Sequence, residues 1–349
     1  MNALPVRLTG LGTAVPEHRA DQAELRALAR ALFPRYGESR RHLEVFDHAG
    51  IETRYLAMPP EWYTQPHGFP EKNAQYVRNA LLLSLRAARE ALALAACSPA
   101  QVDALVFVST TGIATPSLDA AIIGELGLGA HTVRMPLWGL GCAGGAAGLA
   151  RAADLVRAGY RRVLLVAAEL CSLTFVREDY SKSNFVGSAL FADGAAAVLL
   201  EGGEGPGLRL MGHHSTLIEH SADVMGWDLA EDGLRVRFSR DIPALVRELM
   251  RENVAQAAAS LRWCREDLRH FVVHPGGVKV LSAFEEALEM GEGGLRASRA
   301  VLREYGNMSS PSVLFVLRRC LEARPAPGRG LLTAMGPGFS AEHVLFEVP

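Results

Sequence analysis

Short apolar runs alternate along the chain with amphipathic stretches, a pattern that predicts an α/β fold. Buried strands, which read as continuous apolar runs, are predicted at 105–108, 162–168 and 195–200. The longest helical periodicity covers residues 74–95. The region before it, residues 34–75, is rich in aromatic residues and proline. We expect that region to be irregular.

The second half of the chain repeats the order of elements in the first half. The strand at 106–109, with the Gly-containing loop and helix that follow it, is matched by the strand at 271–274. The helix that begins at Cys142 and the strand at 163–168 are matched by the helix after Asn307 and the strand at 331–334. A duplicated unit of this kind predicts two similar α/β halves packed face to face. The Gly- and Glu-rich stretch at 201–207 marks the boundary, so we expect halves of residues 1–205 and 206–349.

Cys142 ends a glycine-bracketed turn, Trp-Gly-Leu-Gly-Cys142-Ala-Gly-Gly, directly before a predicted helix. The N–H groups and the positive dipole end at a helix N-terminus favour an anion. This setting predicts a lowered thiol pKa and a nucleophilic thiolate. A small buried side chain is the simpler interpretation of a free cysteine, and the segment alone leaves both open.

The composition of the chain limits the classes of protein to which it can belong. The 349 residues are 49% hydrophobic and 21% charged, which is ordinary for a globular protein. A net charge of -2 gives no reason to expect nucleic acid or an anionic membrane as a partner. Five cysteines without close-spaced pairs predict neither a disulfide framework nor a metal site. No run is long and apolar enough for a signal peptide or an integral membrane segment, so a cytoplasmic location is expected.

His274 lies at a predicted strand end and Asn307 lies directly before a predicted helix, and we expect both to lie in loops that correspond to loops of the first half. Chemistry in α/β sheets gathers at strand ends, so the duplicated halves would bring these three residues together. A cysteine nucleophile needs a basic partner, and a thioester carbonyl needs hydrogen-bond donors. Taken singly, His274 is equally an ordinary loop residue and Asn307 an ordinary helix N-cap.

Five motifs in this order resemble those of type III polyketide synthases of the chalcone-synthase superfamily. They are Trp-Gly-Leu-Gly-Cys142-Ala-Gly-Gly, Ala-Leu-Phe191-Ala-Asp-Gly, His274-Pro-Gly-Gly, Gly-Asn307-Met-Ser-Ser and Gly336-Pro-Gly-Phe-Ser. Segments around Thr174, Trp227 and Pro243 resemble alkylpyrone synthases in particular. The resemblance implies a thiolase-like fold with αβαβα layers and a homodimeric acyltransferase.

The resemblance also implies a mechanism. Cys142 would accept the acyl group of an acyl-CoA, while His274 and Asn307 would promote decarboxylation of malonyl-CoA. Repeated condensation and cyclisation would give alkylpyrone or alkylresorcinol products, with no metal or organic cofactor. Val236 stands where plant enzymes carry an aromatic gatekeeper, so a wider passage and a long aliphatic starter are expected.

Further substrate contacts follow from the same resemblance. Phe191 matches a gatekeeping phenylalanine, and Thr111, Cys171, Thr174 and Trp227 are expected to line the cavity. Residues of the strand-end motifs complete the expected substrate-binding set: Gly276, Gly277, Ser309, Gly336, Pro337 and Gly338.

Three more positions have expected roles outside the cavity. Arg54 and Lys279 are expected contacts for the phosphates of CoA. Thr115 falls where the family's residue crosses the homodimer interface into the neighbouring site.

Other activities remain open at this point. A type III synthase that uses malonyl-CoA alone, of the tetrahydroxynaphthalene type, is the first alternative. A ketoacyl-ACP synthase III would share the trio but perform one condensation. A cysteine peptidase has the same Cys–His–Asn order, although the papain-type surroundings of the cysteine are missing. A non-catalytic acyl-binding relative is the fourth alternative.

Overall fold

The computed structural model describes residues 4–33, 36, 39–291 and 293–349. Its helices are α1 Gln22–Leu32, α2 Arg40–Asp47, α3 Phe69–Leu94, α4 Leu118–Leu126, α5 Gly144–Arg157, α6 Lys182–Leu190, α7 Ile242–Ala259, α8 Val278–Ala287, α9 Arg296–Tyr305 and α10 Ser312–Glu322. Its strands are β1 Val6–Ala14, β2 His18–Asp21, β3 Thr53–Leu56, β4 Ala104–Val108, β5 Val133–Leu137, β6 Arg162–Leu170, β7 Asp193–Gly202, β8 Leu208–Leu217, β9 Met225–Ala230, β10 Gly233–Phe238, β11 Leu268–Val273, β12 Gly328–Gly336 and β13 Ser340–Val348. Within these described ranges, no helix has the length and apolar character needed to span a membrane.

Nine of the described strands join in the order β11-β12-β13-β8-β1-β7-β6-β4-β5. The connection between β1 and β8 is short, because only Val6, Arg7 and Leu8 pair across it. The sheet therefore divides into an N-terminal part, from β1 to β5, and a C-terminal part, from β8 to β11. The predicted boundary at 205 lies between the end of β7 and the start of β8.

The helices form three layers around the two parts of the sheet. α3 packs outside the N-terminal part, against β1, β6 and β7. α5 and α10 lie in the centre, where α5 contacts strands of both parts and α10 contacts β7, β11 and β12. α7 and α8 pack against each other outside the C-terminal part. This confirms the expected αβαβα layering.

The central layer packs closely because it is built from small residues. α5 begins with Gly144 and Gly145, and a Cβ at Gly145 would lie 2.1 Å from the Ser310 carbonyl oxygen. Leu149 and Leu314, which occupy matching positions in the two central helices, are both fully buried. The start of α5 and the segment that precedes α10 are therefore held in contact, and both carry predicted site residues.

The prediction of an irregular region at 34–75 is wrong for much of that region. α2 lies there, and β3 pairs with β2 in a two-stranded sheet. α2 spans only eight residues, with Leu43 and Phe46 as its buried apolar residues, so too few apolar positions repeat for a helix to be recognised from sequence alone. The partner of β3 lies more than 30 residues earlier, and local sequence carries no sign of that pairing. Residues 34, 35, 37 and 38 lie outside the described residues.

Candidate active site

Cys142 lies in a 3-10 turn, Gly141–Ala143, that leads directly into α5. Gly141 has a φ of +48°, and a Cβ there would approach the Pro337 ring at 2.6 Å. The N–H of Gly141 donates to Thr110 Oγ1 at 3.1 Å. The turn is thus tied to the ends of β4 and β12, and this fixes Cys142 at the head of the central helix.

His274 follows β11, and its N–H donates to the Thr333 carbonyl at 2.9 Å. The side chain is buried, and neither ring nitrogen has a hydrogen-bond partner among the described residues. Burial lowers the pKa of His274 to about 3, so the imidazole is neutral in the free protein. A neutral ring with an unpaired nitrogen can accept a proton.

Asn307 connects the C-terminal half to the Phe191 segment. Its N–H donates to the Leu190 carbonyl at 2.9 Å, and its carbonyl accepts from the Ala192 N–H at 2.9 Å. Its side-chain Oδ1 accepts from the Ser309 N–H at 2.8 Å, which leaves the amide nitrogen as the outward donor. That nitrogen lies 3.4 Å from the Gly276 carbonyl, in the loop that carries His274.

One cavity of about 820 Å³ is lined by all three predicted catalytic residues. Its wall also contains many of the predicted substrate contacts: Phe191, Trp227, Val236, Gly276, Gly277, Lys279, Ser309 and Pro337. A second, smaller cavity of about 80 Å³ adjoins it. We call the first the entrance cavity and the second the side chamber.

The predicted lowering of the Cys142 pKa is wrong. Burial raises the pKa of Cys142 to about 11, against opposing hydrogen bonds to Ser309 and Asn307, and the nearby carboxyl of Glu169 adds to the rise. A rise of that size corresponds to about 3 kcal/mol, whereas a helix dipole contributes roughly 0.3–1 kcal/mol. Desolvation therefore dominates, and Cys142 is a thiol in the free protein.

Phe191 and Val236 separate the entrance cavity from the side chamber, since both line each of the two. The Phe191 ring lies 5.9 Å from the Trp227 ring and 6.1 Å from the Phe238 ring, measured between centroids. Cys171 and Thr174 line the side chamber. The remaining chamber wall is mostly apolar and includes Leu25, Leu28, Ala29, Leu32, Phe33, Leu56 and Phe175.

Arg54 does not lie where a CoA phosphate could reach it, and that expectation is wrong. The residue is 2% exposed, and its Nη1 donates to the Ser188 and Phe191 carbonyls at 2.8 Å each. Burial lowers the pKa of Arg54 to about 9. The guanidinium supports the backbone that carries Phe191, at a side-chamber position away from the entrance.

Three other expected cavity residues line neither cavity. Thr111 is buried, and its hydroxyl donates to Glu169 at 2.8 Å and accepts from the Leu170 N–H at 2.8 Å. Gly336 and Gly338 are also absent from both walls. A Cβ at Gly336 would lie 2.2 Å from the Leu140 carbonyl, so this glycine allows β12 to pack against the Cys142 turn.

Glu169 is a functional-site residue that sequence reasoning missed. It is fully buried at the end of β6, and burial raises the pKa of its carboxyl to about 7. It accepts hydrogen bonds from Thr110 N, Thr111 N and Ser310 Oγ at 2.9, 3.0 and 2.7 Å. The available signal was a carboxyl group placed directly after the apolar run at 162–168.

Several cations at the entrance cavity were also missed. Besides the predicted Lys279, the wall includes Arg41, Lys182, Arg237 and Arg240. Arg237 and Arg240 lie three residues apart at the end of β10, whereas the other three cations come from separate segments, so no single sequence motif groups all five. No group of three or more His, Cys, Asp or Glu side chains within the described ranges could hold a metal ion.

Thr115 is exposed, away from both cavities. Ile113 and Trp138 are exposed as well, at 41% and 59% of their surfaces. Trp138 Nε1 donates to the Gly112 carbonyl at 3.2 Å, so the two loops lie side by side. They follow β4 and β5, and β5 is an edge strand of the nine-stranded sheet.

Comparison with known proteins covers the whole chain. Residues 2–206 match the N-terminal domain of chalcone and stilbene synthases, and residues 209–349 match the C-terminal domain. A putative chalcone synthase of Bacillus subtilis (strain 168) is 39% identical, over 97% of this chain and 98% of its own. A 1,3,6,8-tetrahydroxynaphthalene synthase of Streptomyces peucetius subsp. caesius is 41% identical, over 96% of this chain and 91% of its own.

A solved structure agrees with these matches. The 1,3,6,8-tetrahydroxynaphthalene synthase of Streptomyces coelicolor A3(2), a bacterial type III polyketide synthase, superposes with a TM-score of 0.93. It is 32% identical and covers 98% of this chain and 99% of its own. The predicted thiolase-like fold is confirmed, and the matches favour the polyketide synthase over the ketoacyl-ACP synthase and peptidase alternatives. The chain belongs to the chalcone and stilbene synthase family and is a type III polyketide synthase, an acyltransferase that uses malonyl-CoA.

Proposed function

We propose that this enzyme loads an aliphatic acyl group from acyl-CoA onto Cys142 and extends it with malonyl-CoA to alkylpyrone or alkylresorcinol products. The observation that carries the aliphatic starter is the apolar side chamber behind Phe191 and Val236. The proposed chemistry draws on no metal or organic cofactor.

The loading step couples proton transfer to bond formation. Cys142 is a thiol and His274 a neutral imidazole in the free protein, so the proton moves to His274 only as the sulfur attacks the starter thioester, when negative charge develops on the thioester oxygen beside the imidazolium. The carbonyl carbon forms a bond to Cys142 Sγ and releases CoA, whose thiolate takes the proton from His274. The result is an acylated Cys142 and a neutral His274.

The extension step takes place in the same pocket, after Cys142 has been acylated and its thiol proton has left with CoA. Malonyl-CoA loses carbon dioxide, and the electron pair of the broken bond becomes an enolate on the thioester. Asn307 Nδ2 and a ring N–H of His274 donate to the enolate oxygen. The enolate carbon then attacks the acyl group on Cys142 and displaces the Cys142 thiolate. One such donor is worth roughly 2.7–4 kcal/mol of barrier.

The cations of the entrance cavity suit the phosphates of CoA. Arg41, Lys182, Arg237 and Arg240 lie with Lys279 around the cavity that contains Cys142. Arginine binds phosphate oxygens with paired N–H donors, and lysine adds a point charge. We therefore expect the CoA end of each substrate to lie at the entrance and its thioester to lie at Cys142.

The side chamber suits the tail of the starter. Three of its leucines come from α1, and two of these, Leu28 and Leu32, are half-buried, so the chamber extends towards the surface. Each methylene that leaves water contributes about 0.8 kcal/mol. A tail that passes Phe191 therefore gains affinity with length until the chamber is full.

We also propose that the enzyme is a homodimer joined near β5. The exposed Ile113 and Trp138 lie beside this edge strand. The unpaired backbone groups of an edge strand can form hydrogen bonds with a strand of another chain, and the exposed apolar side chains can pack against that chain. Thr115 in the same loop would then reach the partner's site. Ile113→Arg is expected to convert the dimer to a monomer in analytical ultracentrifugation, and an unchanged dimer would refute this interface.

The decisive experiment is a competition among acetyl-, hexanoyl-, lauroyl- and benzoyl-CoA with malonyl-CoA, with products identified by mass spectrometry. We expect lauroyl- to exceed hexanoyl-, and hexanoyl- to exceed acetyl-CoA. Preference for benzoyl-CoA would refute the aliphatic starter while leaving the family assignment intact.

A malonyl-only reaction is the second candidate. It is favoured by the 41% identity to a 1,3,6,8-tetrahydroxynaphthalene synthase over nearly the whole chain. That reaction needs no tail chamber, since every unit is small. Formation of one aromatic product from malonyl-CoA alone, undiminished by competing lauroyl-CoA, would establish it in place of the aliphatic starter.

A further inference from the structure

Phe191 and Val236 form a partition between the entrance cavity and the side chamber, and the two faces of this partition differ. Trp227 and Phe238 lie against the Phe191 ring and line only the entrance cavity. Gly187 lines only the side chamber, and it lies one helical turn before Phe191. The Phe191 N–H donates to the Gly187 carbonyl at 2.9 Å, which fixes their separation.

Gly187 leaves open the space behind the partition. A Cβ at this position would lie 3.3 Å from Phe191 Cδ2, 3.4 Å from Cε2 and 3.5 Å from Val236 Cγ1. It would therefore touch both residues of the partition at once. The ring is bounded by aromatic side chains on its entrance face, so the free space at Gly187 is where it can move.

The backbone does not require glycine here. Gly187 lies inside α6, and it is not among the residues with positive φ. Glycine in a helix interior is unfavourable relative to alanine. The missing side chain is thus explained by space next to Phe191 and Val236 and not by helix geometry.

We propose that Gly187 sets the width of the passage into the side chamber and thereby limits the length of the starter. This inference rests on the proposed aliphatic starter. A tail that leaves Cys142 moves the Phe191 ring towards Gly187 and enters the chamber through the gap. A side chain at 187 holds the ring in place and confines the starter to the entrance cavity.

The test compares wild type with Gly187→Ala and Gly187→Val, by kcat/KM for acetyl- and lauroyl-CoA. Each methylene excluded from the chamber lowers kcat/KM for lauroyl-CoA about fourfold, because 0.8 kcal/mol per methylene is lost. We expect Ala to lower the lauroyl-to-acetyl ratio and Val to lower it further. The acetyl value and malonyl-CoA decarboxylation should stay at the wild-type level.

Two additional variants separate the passage from a general effect on folding. Gly124→Ala is the matched control, since Gly124 is an exposed position inside α4 and a Cβ there meets nothing within 4 Å. It should leave the ratio unchanged. Phe191→Leu combined with Gly187→Val should restore lauroyl use, because the smaller side chain reopens the gap.

The outcomes distinguish the two proposals. A wild-type enzyme with no preference for the longer starter would overturn both the aliphatic starter and the role of Gly187. A wild-type preference that survives Gly187→Val unchanged would overturn the role of Gly187 alone. An equal loss for acetyl- and lauroyl-CoA in the Val variant would do the same, since it would indicate a damaged active site.

Discussion

Replacing Glu169 with glutamine should change how the stability of the enzyme depends on pH. Glu169 is fully buried and accepts hydrogen bonds from the neutral groups of Thr110, Thr111 and Ser310, and burial raises its pKa from 4.5 to about 7. The unfolded chain keeps an ordinary carboxyl pKa. The folded state therefore binds one more proton than the unfolded state between about pH 4.5 and 7.

The sign and size of the effect follow from that difference. A carboxyl whose folded pKa is raised stabilises the protein below its unfolded pKa, and this contribution is lost as pH rises through the folded pKa. One pKa unit corresponds to about 1.4 kcal/mol, so the loss is about 3 kcal/mol by pH 8. Glutamine carries no titrating proton and keeps an oxygen for the N–H groups of Thr110 and Thr111.

The assay is urea unfolding of wild type and Glu169→Gln between pH 5 and 8, at one protein concentration. The wild-type free energy of unfolding should fall relative to the variant as pH rises. Asp193, whose pKa burial raises to about 6, is present in both proteins and cancels in the difference. Glu125→Gln, at an exposed position, is the matched control. A difference curve that stays flat for Glu169→Gln would mean that its hydrogen bonds keep the carboxylate ionised, and the burial argument would be wrong.

Three further predictions concern catalysis. Cys142→Ala should abolish covalent attachment of a labelled starter, as read by intact-protein mass spectrometry, and persistent labelling would exclude Cys142 as the nucleophile. Asn307→Ala should slow malonyl-CoA decarboxylation by about 10²–10³ while Cys142 loading falls much less; equal losses would indicate a structural role through the Asn307 backbone contacts. Val236→Phe adds a ring to the partition and should lower the lauroyl-to-acetyl ratio of kcat/KM, whereas an unchanged ratio would place the tail elsewhere.

The convergence of Cys142, His274 and Asn307 on one cavity could be predicted from sequence because each of them lies in a short, recognisable motif. Cys142 precedes a helix in its glycine-rich turn, and His274 and Asn307 take matching places in the second half. The duplicated halves of the fold then bring the loops that carry these motifs to one place. Local sequence carries enough information for this part of the site.

Properties that depend on burial could not be predicted in the same way. The Cys142 turn does precede a helix, yet desolvation outweighs the helix dipole and raises the thiol pKa. Arg54 is basic and follows a loop, but its guanidinium is buried against the Ser188 and Phe191 carbonyls. In both cases the residue is buried by segments that are distant in the sequence, as Pro337 is from the Cys142 turn and Ser188 is from Arg54.

The predicted catalytic residues and the side chamber belong to different parts of the chain, and this separates chemistry from starter choice. Cys142, His274 and Asn307 are held by the central helices and the ends of β11 and β12. The side chamber is walled by α1, β3, the segment 171–175, α6 and Val236 of β10, and of these elements α6 and β10 also line the entrance cavity. Only Phe191 and Val236, among the described lining residues, belong to both. Substitutions in the chamber wall should therefore alter which starter is used without altering malonyl-CoA decarboxylation, and substitutions at the trio should do the reverse.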